Sequence, residues 1–158
     1  MNLFQQLHDL CIEKNISIAT AESCTAGLLA SRITSISGAS SFLKGGIVAY
    51  QNDVKINLLK VSQSIIKEET EVCLGVVEQM AEGARHQFLA DFSIATSGYA
   101  GPTGGTELNP IGTVFIAISS KEKTISKRFV FEGDRESVVS QSVIKAVEFL
   151  IQALKNQE

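Results

Sequence analysis

The chain has 158 residues, enough for one domain that buries its core without metal or disulfide staples. Hydrophobic residues make up 44% and charged residues 20%, which excludes a disordered chain. A net charge of -3 excludes a dedicated nucleic-acid binder, because neutralising phosphates takes a basic surface; a small anionic ligand held by a few local groups stays open. Residues 2–14 repeat apolar side chains at Leu3, Leu7, Leu10 and Cys11, which predicts a one-faced helix. Residues 16–20 read as a strand and 25–35 as a helix, with the segment TAESCTAG at the corner between them. GASSFLKGG reads as a loop with one helical turn, 47–50 as a short buried strand and 52–59 as a short helix. Residues 62–68 are ambiguous. Val72, Val76, Val77, Met80, Ala84 and Phe88 mark a long amphipathic helix, and 92–96 a strand. The glycine-rich loop SGYAGPTGGTELNPIG follows. Segments 113–119 and 125–131 form a hairpin, and apolar positions from Val139 to Leu154 mark a closing helix.

Strands alternating with helices predict a single three-layer α/β domain over residues 1–158, and the late hairpin makes its sheet mixed. No apolar run approaches the roughly 18 residues of a membrane span. The opening MNLFQQ lacks the basic start and apolar stretch of a signal peptide, so the expectation is a cytoplasmic protein without membrane contact. Cys11, Cys24 and Cys73 are an odd set without CxxC spacing, which predicts no disulfide framework and no zinc site. His8 and His86 read as surface side chains rather than catalytic ones.

In such sheets ligands sit at the carboxyl ends of strands. TAESCTAG, AYQNDVK and SGYAGPTGG all fall there. The glycines Gly98, Gly101, Gly104 and Gly105 either let the backbone approach an anion or simply shape a wide turn stiffened by Pro102 and Pro110. The spacing matches neither a Walker loop nor GxGxxG. TAESCTAG packs a carboxylate, three hydroxyls and a thiol into one corner. Ser23 and Thr25 each suit a helix cap, which accounts for one hydroxyl but not for the cluster. The functional reading is a nucleophile at a helix N-terminus. A serine nucleophile needs a base, and with no credible histidine the candidate is Lys55, with Tyr50 to relay the proton or orient the lysine. Cys24 is the alternative nucleophile; its place next to Ser23 turns it away from whatever Ser23 faces, toward a packing role. Ser41 and Lys44 fit an S-x-x-K pattern without its companion segments, and Lys44 reads better as a solvated loop charge. Asp134 suits the cap of the last helix, and Arg135 beside it can reach a phosphate or carboxylate.

Together, TAESCTAG, GASSFLKGGIVAYQNDVK, SGYAGPTGG with PIGTV after it, and GDR before the last helix resemble the CinA C-terminal domain family, the nicotinamide-nucleotide amidases. The resemblance runs in order from about residue 5 to the C-terminus. It is to the stand-alone form, which lacks the larger N-terminal domain of full-length CinA proteins. It implies an α/β/α sandwich that self-associates and hydrolyses nicotinamide mononucleotide to nicotinic acid mononucleotide and ammonia, with neither metal nor cofactor. By motif match the family's nucleophile falls on Ser23, its lysine on Lys55 and its tyrosine on Tyr50. Ser40, Ser97 and Arg135 match further polar positions. On this reading Ser23 attacks the amide, neutral Lys55 takes its proton, and N–H groups of Thr25, Ala26 and Gly27 hold the oxyanion. Gly98, Gly101 and Gly104, with Arg135, grip ribose and phosphate.

The chain departs from the family pattern at three places. Ala26 stands where the family has glycine, Tyr99 where an aliphatic residue is common, and Cys73-Leu74 where Ser-Glu is usual. These departures support an alternative, a catalytically inactive nucleotide-binding or regulatory protein of the same fold. Another amide as substrate is a third reading.

Overall fold

The computed structural model describes residues 2–157. Asn2 opens the chain by accepting the Phe4 N–H, which caps helix α1 (Leu3–Lys14). The first β-branched run forms strand β1 (Ile18–Glu22), and a turn leads into the short helix α2 (Leu28–Ile33). A 3₁₀ turn (Ala39–Ser41) precedes strand β2 (Leu43–Val48), and helices α3 (Asn52–Leu59) and α4 (Gln63–Glu69) follow. Helix α5 (Leu74–Phe88) leads to strand β3 (Phe92–Gly98), and the hairpin is β4 (Thr113–Ser120) with β5 (Thr124–Val130). Helix α6 (Arg135–Lys155) closes the domain under an Asp134 cap, whose carboxylate accepts the Ser137 N–H.

The sheet runs β2-β1-β3-β4-β5. The first three strands are parallel and the last two antiparallel, so the expected mixed sheet is present. Side chains alternate between its faces. Ile18, Phe92, Ile94, Val114, Ile116 and Ile118 pack with α1, α2 and α6. The other face carries Ala21, Ala95 and Ala117, which lie in register across β1, β3 and β4 beneath the buried side of α5. Alanines there leave the room that the broad apolar side of α5 occupies, and the result is the three-layer α/β/α sandwich. Helix α6 matches a membrane span by length and composition, contrary to the expectation of no such run, but half of its apolar window is buried as a core helix.

Three boundaries differ from expectation. Strand β2 begins at Leu43 and is a half-exposed edge strand, not a buried one confined to 47–50. Gly45 and Gly46 hide it from propensity, yet they pair with Ala19 and Thr20 of β1. The helix after the corner begins at Leu28 rather than Thr25, because residues 24–27 are a turn. Residues 62–68 resolve into α4.

Candidate active site

Parallel strands β1, β2 and β3 end at one edge of the sheet, and their carboxyl-terminal loops converge there. A cleft of about 250 Å³ opens between them. Ser23 and Cys24 come from the turn after β1, Tyr50 from the end of β2, Lys55 from α3, and Glu71 and Val72 from the α4–α5 connection. Gly98, Tyr99, Ala100 and Thr103 come from the loop after β3, and Arg135 from the start of α6. Larger concavities of about 340 and 490 Å³ lie at the other end of the strands, around Phe92 and Gln157. No polar residue lining them is buried, so they lack a group with altered reactivity.

Ser23 is only 8% exposed. Its N–H donates to Thr96 O at 3.0 Å, and its own carbonyl accepts the Ala26 N–H at 3.1 Å, so the turn is held at both ends. Lys55 is 2% exposed. Among the described residues its Nζ makes no hydrogen bond and no ion pair. Burial lowers its pKa from the ordinary lysine range, and the nearby charge of Glu71 opposes that only in part. Ser23 Oγ and Lys55 Nζ line the same cleft without being hydrogen-bonded to one another. Cys24 lines the cleft too, while it is buried as a member of the hydrophobic core, the packing role expected of it. Burial pushes its thiol up to about 12, so it remains protonated and is a poor nucleophile.

The carboxylate of TAESCTAG has a role that sequence reasoning missed. Glu22 is buried, and its Oε1 and Oε2 accept the Leu29 and Ala30 N–H groups at 2.8 and 3.2 Å. It caps α2 from the preceding strand, in place of Ser23 or Thr25. The Thr25 hydroxyl donates to Glu22 at 2.6 Å and accepts from Thr96 at 2.8 Å, so Thr25 is a buried strut outside the cleft. The only sequence signal was a carboxylate eight residues before a helical N–H, too distant for a local capping rule. Glu22→Gln is expected to destabilise the fold by about 1–3 kcal/mol, because an amide N–H₂ then meets helix donors; urea unfolding measures it.

Gly27 caps α2 at φ 97°, and Ala26 before it sits at φ 46°. Both residues are left-handed, with alanine in a place that favours glycine. Ala26 is exposed, and neither it nor Gly27 lines the cleft. Ala26→Gly should stabilise the protein by about 0.5–1 kcal/mol, read as a higher urea midpoint at unchanged slope.

The remaining expected positions divide. Tyr50 is 55% exposed and its hydroxyl accepts from Arg135 Nη2 at 2.9 Å; it makes no bond to Lys55, so it neither relays that proton nor orients that lysine here. Arg135 Nη1 donates to Gly101 O at 2.7 Å, so one guanidinium ties the end of β2 to the glycine loop across the cleft. Gly101 presents that carbonyl from φ 87°. Gly98 lines the cleft, whereas Gly104 is exposed with its backbone against the Tyr99 ring. Ser97 is buried and donates to Glu71 O at 3.2 Å, holding a cleft residue rather than touching the cleft. Ser40 lies before β2, at the opposite end of the sheet, roughly 16 Å of strand from Tyr50. Ser41 and Lys44 share that far end and are exposed. Glu71 lines the cleft and was not anticipated at all. His8 is half-buried with its ring edge-on to Phe42 at 5.5 Å, and neither histidine approaches the cleft.

The fold and the cleft define a three-layer α/β/α domain with a serine and a buried lysine at the carboxyl edge of its parallel strands. The chain belongs to the CinA C-terminal domain family, whose model matches residues 1–154. A CinA-like protein of Shewanella halifaxensis is 40% identical over 158 residues, covering 99% of this chain and 37% of its own length. A CinA-like protein of Syntrophus aciditrophicus is 46% identical over 130 residues, 82% of this chain and 31% of its own. The chain thus spans about a third of the length of the curated relatives it matches. Among solved structures, the competence damage-inducible protein A of Klebsiella pneumoniae superposes with a TM-score of 0.95 at 33% identity, covering 99% and 97% of the two chains. A competence/damage inducible protein of Agrobacterium tumefaciens superposes with a TM-score of 0.91 at 30% identity, covering 98% and 96%.

Proposed function

We propose that this chain hydrolyses the carboxamide of nicotinamide mononucleotide, giving nicotinic acid mononucleotide and ammonia. The observation that carries the reading is Lys55, a buried lysine without a partner that shares one cleft with Ser23. A buried, unpaired lysine with a lowered pKa supplies neutral amine at a pH where an exposed lysine is charged.

Ser23 Oγ attacks the amide carbonyl as its proton passes to Lys55 Nζ. The oxyanion needs N–H donors that have no other acceptor. The Ala26, Leu28, Leu29 and Ala30 N–H groups are already used within the turn and by Glu22. Those of Cys24, Thr25 and Gly27 remain, the first two directly after Ser23. Collapse of the tetrahedral intermediate breaks the C–N bond, and the Lys55 proton leaves with the amine as ammonia. Water then attacks the Ser23 ester with Lys55 again as base, which releases the acid and restores both groups. The Ser23–Lys55 hydrogen bond forms with substrate bound, as catalytic bonds that are open in free enzymes commonly do. Arg135 exchanges its Tyr50 contact for the substrate phosphate.

Ammonia release from nicotinamide mononucleotide by the wild type and by Lys55→Ala tests this. Release by the wild type alone supports reaction and base together. The missing Ser23–Lys55 bond favours a second reading, a nucleotide-binding regulatory protein. Calorimetric binding of the mononucleotide without any ammonia release would select it.

A further inference from the structure

We propose that Glu71 is the specificity-determining residue of this cleft: its carboxylate complements the fixed positive charge of an N-substituted pyridinium ring that stacks against Tyr99. This rests on the reading of the cleft as a pyridine-nucleotide amide site, and adds which form of the ring it takes.

Glu71 lines the cleft, and among the described residues its carboxylate has no hydrogen bond and no ion pair. It is nevertheless held in place. Ser97 Oγ donates to its carbonyl at 3.2 Å. Thr70 before it adopts φ 100° and ψ 169°, a region that side-chain-bearing residues avoid. The Thr70 hydroxyl fixes that corner by accepting the Val72 N–H at 3.1 Å and donating to Val72 O at 3.2 Å. A strained corner thus fixes the backbone of an unpartnered carboxylate at the edge of a cleft.

The charges around it select its ligand. Lys55 faces the cleft from α3, Ser23 and Cys24 from the turn after β1, Tyr50 from the end of β2, and Arg135 from α6. When Lys55 is neutral, as a base must be, Glu71 is the one anion and Arg135 the one cation among the described residues that line the cleft. A pyridinium mononucleotide carries the same pair, a cationic ring and an anionic phosphate. Tyr99 lines the cleft too, with its N–H donated to Thr113 O at 2.9 Å and its carbonyl accepting Gly112 N–H at 2.7 Å. An aromatic residue and a carboxylate that line one cleft suit a flat cation. Hydrolysis also turns a neutral carboxamide into a carboxylate, which Glu71 repels, so the same residue favours product release.

The test compares nicotinamide mononucleotide with its dihydropyridine form, which has the same carboxamide and phosphate but an uncharged ring. Calorimetric affinities are measured in a Ser23→Ala background with and without Glu71→Gln, so that no turnover intervenes, and ammonia release is assayed separately on the wild type and Glu71→Gln. The expected result is that Glu71→Gln weakens binding of the pyridinium form roughly tenfold or more and leaves the uncharged form within about twofold. Hydrolysis should show the same loss of preference in kcat/KM, and its rise with pH should move to lower pH, because Glu71 holds the Lys55 pKa up. An unchanged ratio of the two affinities overturns the proposal, as does failure of the Ser23→Ala protein to bind either form. A selective loss of pyridinium binding without any ammonia release by the wild type upholds the Glu71 assignment and removes the amidase reading.

Discussion

Ser23→Ala is expected to lower ammonia release from nicotinamide mononucleotide by roughly 10⁴-fold or more, with the fold intact. The size follows from how poorly the neighbouring groups could replace Ser23: the Thr103 hydroxyl of the cleft lining lies on the exposed glycine loop, away from the Ser23 turn in the chain. The Thr25 hydroxyl is buried in its bonds to Glu22 and Thr96, and the Tyr50 hydroxyl is an exposed partner of Arg135. The Cys24 thiol, pushed up to about 12 by burial, has almost no thiolate at neutral pH. Stability should move by no more than about 0.5 kcal/mol, since Ser23 Oγ makes no hydrogen bond that would be lost. Circular dichroism melting and a coupled ammonia assay on the same preparation measure both. Turnover near that of the wild type in the variant would eliminate the serine mechanism.

Lys55→Met should abolish turnover and at the same time stabilise the protein by about 1–2 kcal/mol at pH 7. Methionine matches the unbranched stem of lysine up to Cε and removes a buried, unpartnered charge. The pH dependence has a definite sign. The folded-state pKa of Lys55 lies below its unfolded value, so the unfolded chain holds the proton more tightly. Below the folded pKa the wild type carries the full penalty of a buried ammonium. That penalty fades as pH rises through the folded pKa toward the ordinary 10.5 of lysine. The advantage of Lys55→Met is therefore largest below the folded pKa and shrinks toward pH 10.5. Urea unfolding of both proteins at pH 7 and near pH 10 measures the two differences. A variant less stable than the wild type at pH 7 would mean that Lys55 is a paired structural cation, which rules it out as the base.

Both outcomes bear on one physical point. An unpaired ammonium inside a protein is costly, and such a group persists where reactivity requires it. Ala26 at positive φ and Thr70 at φ 100° are further local costs beside the same cleft. Only Thr70 adjoins a cleft-lining residue, whereas Ala26 lies just behind the Ser23 turn, which is why relieving Ala26 should leave the chemistry untouched.

The sequence by itself determined the order of the elements, the mixed sheet and the edge where loops gather, since these follow from local periodicity and from the rule that parallel strands end together. It also marked Ser23, Lys55 and Arg135, because rare side-chain chemistry stands out at strand ends. Tertiary structure alone decided the rest. Glu22 became a cap for α2 through a reach of seven and eight residues that no local rule contains. Ser40 went to the far end of β2 because a strand hidden by Gly45 and Gly46 extends to Leu43. Tyr50 turned to Arg135 rather than Lys55 because the start of α6 lies beside the segment that follows β2. Glu71 entered the cleft because Thr70 accepts a backbone conformation that its own side chain disfavours. The Tyr50–Arg135 bond and the β1–β2 pairing join segments far apart in the chain, and the Glu22 and Thr70 geometries lie outside local sequence rules. Periodicity reports which face a residue is on, and only the packed sheet decides which other residue it meets there.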